Sequence, residues 1–385
     1  MKILFITDKS IVGGATVALL NMVRELKKNA KFEPTVITVL ENELNSQLNS
    51  MEIYNFADNH VEAMQEISKG RLPIFAQTIR AYFKLCICHK ESISIIEKKI
   101  NVAEYDIIHT NSARSDIGCY LAQKYNKPHI MHIREFGTLD YGCKYIHPNY
   151  IEFLNSSVDR FVSVSNAVKE YWISIGLDSK KIETIYDGVD ADNYPDLYRD
   201  YSKKELKIIC VGSIRKSKGQ YQIIEALGKL PRNIRDHVSL SLYGWSAEKY
   251  IEELKELAKS IGVEERVCFM GVSENISNVL KDYDIGITAS KSEGFGLVTN
   301  EYMLSKMGII VANTGASPEL VKNKDTGLVY KFGDSQDLAS RIHDFYLNRD
   351  LLKNCAVNAR NYALEHFTST INTRHIIKLY ESYLN

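Results

Sequence analysis

The chain reads as an α/β protein, two Rossmann-like, doubly wound parallel-sheet domains in tandem. Three observations lead there. Short apolar runs alternate with amphipathic stretches along the whole length, the 385 residues exceed one ordinary domain, and a polar, turn-rich segment interrupts the pattern near the middle. A hydrophobic content of 45% beside 25% charged residues, with 23 Tyr and 13 Phe, describes a chain that buries cores rather than a disordered one.

Taken in order, strands are expected at 2–7, 34–39, 106–109, 129–133, 160–164 and 182–185, each a short apolar run. The segment YDGVDADNYPDLYRDYSKKE follows, broken by Gly188 and Pro195, and ends a first domain of residues 1–195. Strands at 206–211, 238–243, 267–270, 285–288 and 309–312 build a second domain over 203–366. Residues 367–385 have helical periodicity with no later strand, so this helix is free to pack back on either domain. Parallel sheets bind ligands at the carboxyl ends of their strands, so two of them facing across a cleft suit a two-substrate enzyme.

Composition excludes several classes. Forty-eight basic and 48 acidic residues give zero formal charge, and no nucleic-acid partner is expected. MKILFITD enters a strand pattern directly, without a signal peptide's apolar region, and no stretch approaches the roughly 20 apolar residues of a spanning helix. A cytoplasmic protein is expected. Seven cysteines, Cys86, Cys88, Cys119, Cys143, Cys210, Cys268 and Cys355, lack CxxC pairs and read as reduced core thiols rather than metal ligands.

Three loops carry chemistry. Gly13 and Gly14, before a helix starting near Thr16, can take positive φ and let backbone N–H groups approach a phosphate; a plain tight turn explains them equally well. In VGSIRKSKG, Arg215 and Lys218 project from a strand-to-helix loop whose free N–H groups already favour anions; the bland reading is a solvated basic loop. In SEGFGLVTNEYM, Glu293 sits on a loop and Glu301 one turn inside a helix starting near Leu297, so the two carboxylates can contact different parts of one ligand. Gly294 and Gly296 admit close backbone approach there, and a capping role for Glu293 is the alternative.

With these pieces in order, joined by IIHTN around His109 and Asn111, VSNAV at 163–168, YDGVD at 186–190, LYGWS near Gly244 and VCFMGV ending at Val272, the chain resembles the retaining glycosyltransferases of family 4, GT-B enzymes, over essentially its whole length. The resemblance implies a hexosyltransferase that moves a sugar from a nucleotide-diphosphate donor, with UDP-sugar expected, to a hydroxyl of a glycan or lipid-linked acceptor, in bacterial surface polysaccharide or glycolipid synthesis. It places Arg215 and Lys218 on the donor diphosphate and Glu293 on the transferred sugar. Gly13, Gly14, Ala15, Phe295, Gly296, Leu297 and Val298, with Gly294, fall beside sugar and phosphate, Glu301 on the ribose, and Val272 toward the base, with Gly244 also among the donor-binding residues. His109 and Asn111 fall on the acceptor side. It further implies retention by a front-face route, no required metal and no cofactor.

The chain departs from the family pattern at KPHIMHIREFG, where the usual His followed by an acid at the catalytic centre falls on Arg134 and Glu135. His132, two residues earlier on a strand, would point to the same side as Arg134; either could reach the sugar, and His132 also reads as a satisfied core residue. Arg134 stays charged and cannot act as a base. Asp187 stands where the family more often has Asn, and ANTGASPEL replaces a double-Gly sequence before Glu319. Residues 69–100 combine Arg71, Arg80, Lys84, Lys90, Lys98 and Lys99 with apolar residues, a pattern that fits peripheral contact with the inner membrane face or a helix packed on the first sheet. A non-catalytic partner subunit and a nucleotide-sugar epimerase are the rival readings.

Overall fold

A computed structural model of the chain describes residues 1–9, 13–66 and 74–383. Ser10 to Val12 of the first glycine loop and Arg71 of the basic segment lie outside the described residues. The chain divides into two compact units, Met1–Gly188 with Ser369–Asn385, and Val189–Thr368.

The strands of the first unit are β1 (Lys2–Ile6), β2 (Glu33–Thr38), β3 (Tyr54–Ala57), β4 (Met64–Glu66), β5 (Ile107–Thr110), β6 (His129–Ile133), β7 (Cys143–Tyr145), β8 (Arg160–Ser163) and β9 (Ile182–Thr184). Seven form a parallel sheet in the order β3-β2-β1-β5-β6-β8-β9, and β4 pairs antiparallel with β7 in a separate ribbon. Ile3, Leu4, Phe5 and Ile6 are all fully buried, because helices cover both faces of the central strand. Each such side chain stabilises the fold by about 1.5–3 kcal/mol relative to exposure.

The second unit holds β10 (Leu206–Val211), β11 (Val238–Tyr243), β12 (Val267–Gly271), β13 (Ile285–Thr288), β14 (Gly308–Ala312) and β15 (Leu328–Tyr330) in one parallel sheet, ordered β12-β11-β10-β13-β14-β15. Strand order reverses beside β1 in the first sheet, between β1 and β5, and beside β10 in the second, between β10 and β13. These are the switch points where loops diverge and leave a crevice at the carboxyl ends.

The expected strands are present, and four lie outside the expected set. β3 and β15 are sheet edges of four and three residues, too short to show a period, and β4 and β7 pair residues far apart in sequence, from Met64 with Tyr145 to Glu66 with Cys143. The change of unit comes at Gly188–Val189 rather than at 195. Val189 N–H already donates to Phe367 carbonyl (3.0 Å), and Tyr194 carbonyl accepts from Arg360 (2.8 Å), so this stretch is fastened to the second unit. The helix Ser369–Glu381 belongs to the first unit, where Ile376, Leu379 and Tyr380 join the core around Ile3 and Phe5.

The core-thiol expectation holds for Cys119, Cys210 and Cys355 only. Cys268 is exposed because β12 is an edge strand, and Cys86, Cys88 and Cys143 are half-buried. Among the described residues no group of three His, Cys, Asp or Glu side chains is gathered as a metal site, and no helix is long and apolar enough to cross a membrane.

Candidate functional site

The candidate donor residues all fall on the carboxyl-end loops of the second sheet. The loop after β10 carries Arg215, exposed, then a 3-10 turn at Lys216–Lys218. The α-helix Gln220–Lys229 starts only after Gly219, which intervenes at φ 72. A Cβ on Gly219 would lie 2.0 Å from the Ala289 carbonyl oxygen, so only glycine lets this loop close onto the one after β13.

That closure joins one base and one acid singled out in sequence. Lys218 Nζ lies 2.5 Å from Glu293 Oε1, with the side chains 23% and 17% exposed, and Ser290 Oγ donates to the same oxygen at 2.6 Å. Burial alone would raise the Glu293 carboxyl, but Lys218, Ser290 and Arg215 outweigh it and hold the group below the usual glutamate range. Glu293 is therefore a carboxylate at neutral pH. Its backbone is fixed from β14: Ala316 N–H donates to Glu293 carbonyl (2.9 Å), and Thr314 Oγ1 donates to Ser290 carbonyl (2.7 Å). Gly315, at φ 54, could not carry a Cβ, which would come 2.5 Å from the Glu293 carbonyl oxygen. Ser290 was not picked out by sequence reasoning, and residues 314–316 only as part of ANTGASPEL; only the folded loops show that they brace Glu293.

Gly296 caps the helix Leu297–Leu304 at φ 94, leaving the N–H groups around Leu297 and Val298 at an anion-favouring terminus, while Phe295 is buried edge-on against Phe367. Gly294 is half-buried on the loop before it. Glu301, inside that helix, has a carboxyl raised to about 7 by burial, opposed by a hydrogen bond from Tyr194. Gly244, at φ 145, packs so closely that a Cβ would lie 1.9 Å from Gly212 carbonyl oxygen, and its N–H donates to Gly271 carbonyl (2.7 Å) beside the exposed Val272.

The first unit gathers a second group. After β6, Arg134 Nη1 lies 2.5 and 2.6 Å from the two oxygens of Asp187, and Nε donates to Asn111 Oδ1 at 3.0 Å. Asn111 in turn donates to Ala15 carbonyl (3.2 Å) in the first turn of the helix Gly14–Lys27. Glu135 is almost fully buried, accepts from Ser112 Oγ (3.0 Å), and is raised to about 7 by burial and Asp8. His109 and His132 are completely buried; His109 bridges Tyr380 OH (2.5 Å) and His132 Nδ1 (3.1 Å). Burial and the Arg134 charge hold both imidazoles well below the usual histidine range, so both are neutral. His132 Nε2 has no hydrogen-bond partner among the described residues. Gly13 is extended, at φ 170, rather than at positive φ, and Gly14 opens the helix: the turn is made without a left-handed residue among those described.

Two family models tile the chain. Residues 12–193 match Glycosyltransferase Family 4, and residues 199–362 match Glycosyl transferases group 1. The chain belongs to the family 4 glycosyltransferases. It is 26% identical over 291 residues to the N-acetyl-alpha-D-glucosaminyl L-malate synthase of Bacillus anthracis, covering 72% of this glycosyltransferase and 75% of that enzyme. It is 25% identical over 250 residues to the lipopolysaccharide core biosynthesis mannosyltransferase LpsB of Rhizobium meliloti, covering 62% and 70%. The fold matches that of Anabaena Alr3699/HepE, solved in complex with UDP, with a TM-score of 0.78, 21% identity and coverage of 99% and 100%. This glycosyltransferase therefore has the GT-B fold, as the resemblance implied.

Proposed function

We propose that this glycosyltransferase takes a UDP-sugar and transfers the sugar with retention to a hydroxyl of a glycan or lipid-linked acceptor in bacterial surface polysaccharide or glycolipid synthesis. The observation that carries the reading is the Lys218–Glu293 pair, which brings a cation and an ionised carboxylate from either side of the β10/β13 switch point into one place. Departure of a nucleoside diphosphate leaves charge on the β-phosphate, and Arg215, Lys218 and the helix terminus at Leu297 stabilise it without a metal. Lys218 exchanges Glu293 for the diphosphate when donor binds, which frees Glu293 for a sugar hydroxyl. Glu301 receives the ribose. The departing phosphate deprotonates the acceptor on the same face, and Arg134 takes no part as a base. UDP in the HepE structure and the lipopolysaccharide core biosynthesis role of LpsB support this choice of donor and pathway.

The test is binding and slow hydrolysis of UDP-, GDP- and ADP-sugars. Lys218→Ala and Glu293→Ala should each lower turnover by roughly 10²–10³, and chelation should leave it unchanged. No binding by any donor sinks the reading.

We also infer peripheral contact with an anionic membrane. The helix Ile74–Lys99 buries Leu85, His89, Ser92 and Ile96 but turns Ile79, Phe83 and Ile87, four residues apart, to solvent at 40%, 64% and 59% exposure. Exposed Arg80 and Lys84 flank this stripe. Co-sedimentation with phosphatidylglycerol vesicles should occur and be lost in Phe83→Asp; equal sedimentation of both proteins removes the proposal.

A further inference from the structure

Arg134 and Asp187, the two places where the first unit departs from the family pattern, lie 53 residues apart in sequence and in direct contact. Their side chains are 4% and 7% exposed, and Nη1 of Arg134 sits between both oxygens of Asp187. A guanidinium this buried requires a neutralising partner, and so does the aspartate: removing either charge alone leaves the other buried and uncompensated. A His at 134 would need no anion, and an Asn at 187 would supply none. In charge the two departures therefore compensate each other, each supplying the partner that burial of the other requires.

The contact also has a mechanical side. Through Nε the guanidinium holds Asn111 after β5, and Asn111 holds Ala15 after β1. Asp187 lies on the turn after β9, which is itself held on both sides: Asn372 donates to Tyr186 carbonyl (2.7 Å) and Asn21 to Gly188 carbonyl (3.2 Å). Arg134 consequently fastens four carboxyl-end loops of the first sheet, its own included. With Nε and Nη1 engaged, Nη2 is the nitrogen that among the described residues is left to donate to a ligand oxygen.

We propose that Asp187 is a positioning residue of the transferase: it aims the Arg134 guanidinium so that Nη2 meets a ligand oxygen at the reacting centre. This rests on the transferase reading above.

The experiment compares the full-length wild type with Asp187→Asn, Arg134→His, the double variant and Arg134→Lys, in hydrolysis of the best UDP-sugar and in thermal unfolding. Both single exchanges should lower kcat on the order of a hundredfold with donor KM little changed, since displacement of a positioned group by about 1 Å has that effect. The double variant should regain at least tenfold over either single and melt above both. Arg134→Lys keeps the charge but not the planar fork; it should melt near the wild type and still lose kcat, separating positioning from folding. An active wild type with an indifferent Asp187→Asn, or a double variant no better than the worse single, overturns the positioning role alone. A wild type that turns over no donor overturns the transferase reading and the positioning role with it.

Discussion

Glu135 and Glu301 are carboxyls raised to about 7, and in both burial is the principal cause. A raised acid binds its proton more tightly in the folded chain than in the unfolded one. Its stabilising contribution is full below the ordinary glutamate value and is lost as pH rises toward about 7. Buried His109, His129 and His132 act oppositely, since all three are lowered, His129 to about 4, and they cost stability as pH falls below the ordinary histidine range. The two trends overlap, so the test is a difference: the melting advantage of wild type over Glu135→Gln should shrink between about pH 5 and 7. For Glu301 the readout is donor binding. A carboxylate accepts two ribose hydroxyl bonds and a carboxylic acid accepts fewer, so affinity should rise between about pH 6 and 8 and be flat in Glu301→Gln. The residues at both sites were legible by type and spacing, whereas their partners were not. Ser290 is one more loop serine in sequence, and nothing local marks Asp187 as the counter-ion of Arg134.

The interior strands were readable because both their faces are buried and their sequences run continuously apolar, as in β1 and β14. Two of the four edges, β3 and β15, were not, because each meets a neighbour on one side and is only three or four residues long. Loop closure is decided at single positions. Gly244→Ala would force a methyl to within 1.9 Å of Gly212 carbonyl oxygen at φ 145, and should destabilise the chain by about 1–3 kcal/mol in denaturant titration. The helix Ser369–Glu381 is docked by Tyr380, whose hydroxyl lies 2.5 Å from His109 Nδ1 at the base of β5. Tyr380→Phe strands a buried imidazole nitrogen and should destabilise by about 1–3 kcal/mol, with amide exchange in this helix accelerated most.

Each unit has a core of its own: the second has a buried cluster running from Leu206 to Cys355, whereas the first takes Ile376, Leu379 and Tyr380 from the far end of the chain. The segment 189–368 expressed alone should therefore unfold cooperatively, and 1–188 without 369–383 should melt lower than the same unit in the full chain. Circular dichroism on the two fragments and the intact glycosyltransferase checks both. The sequence by itself determined the α/β class, the succession of strands, the glycine-punctuated loops and the chemical types at the candidate donor site, because alternation, turn residues and charge are local properties written along the chain. Only the tertiary structure decided that Lys218 meets Glu293, that Arg134 is answered by Asp187 and that the last helix returns to the first sheet. Those contacts join residues 53 to 271 positions apart, and what selects them is the burial of charge and apolar surface once the strands have assembled.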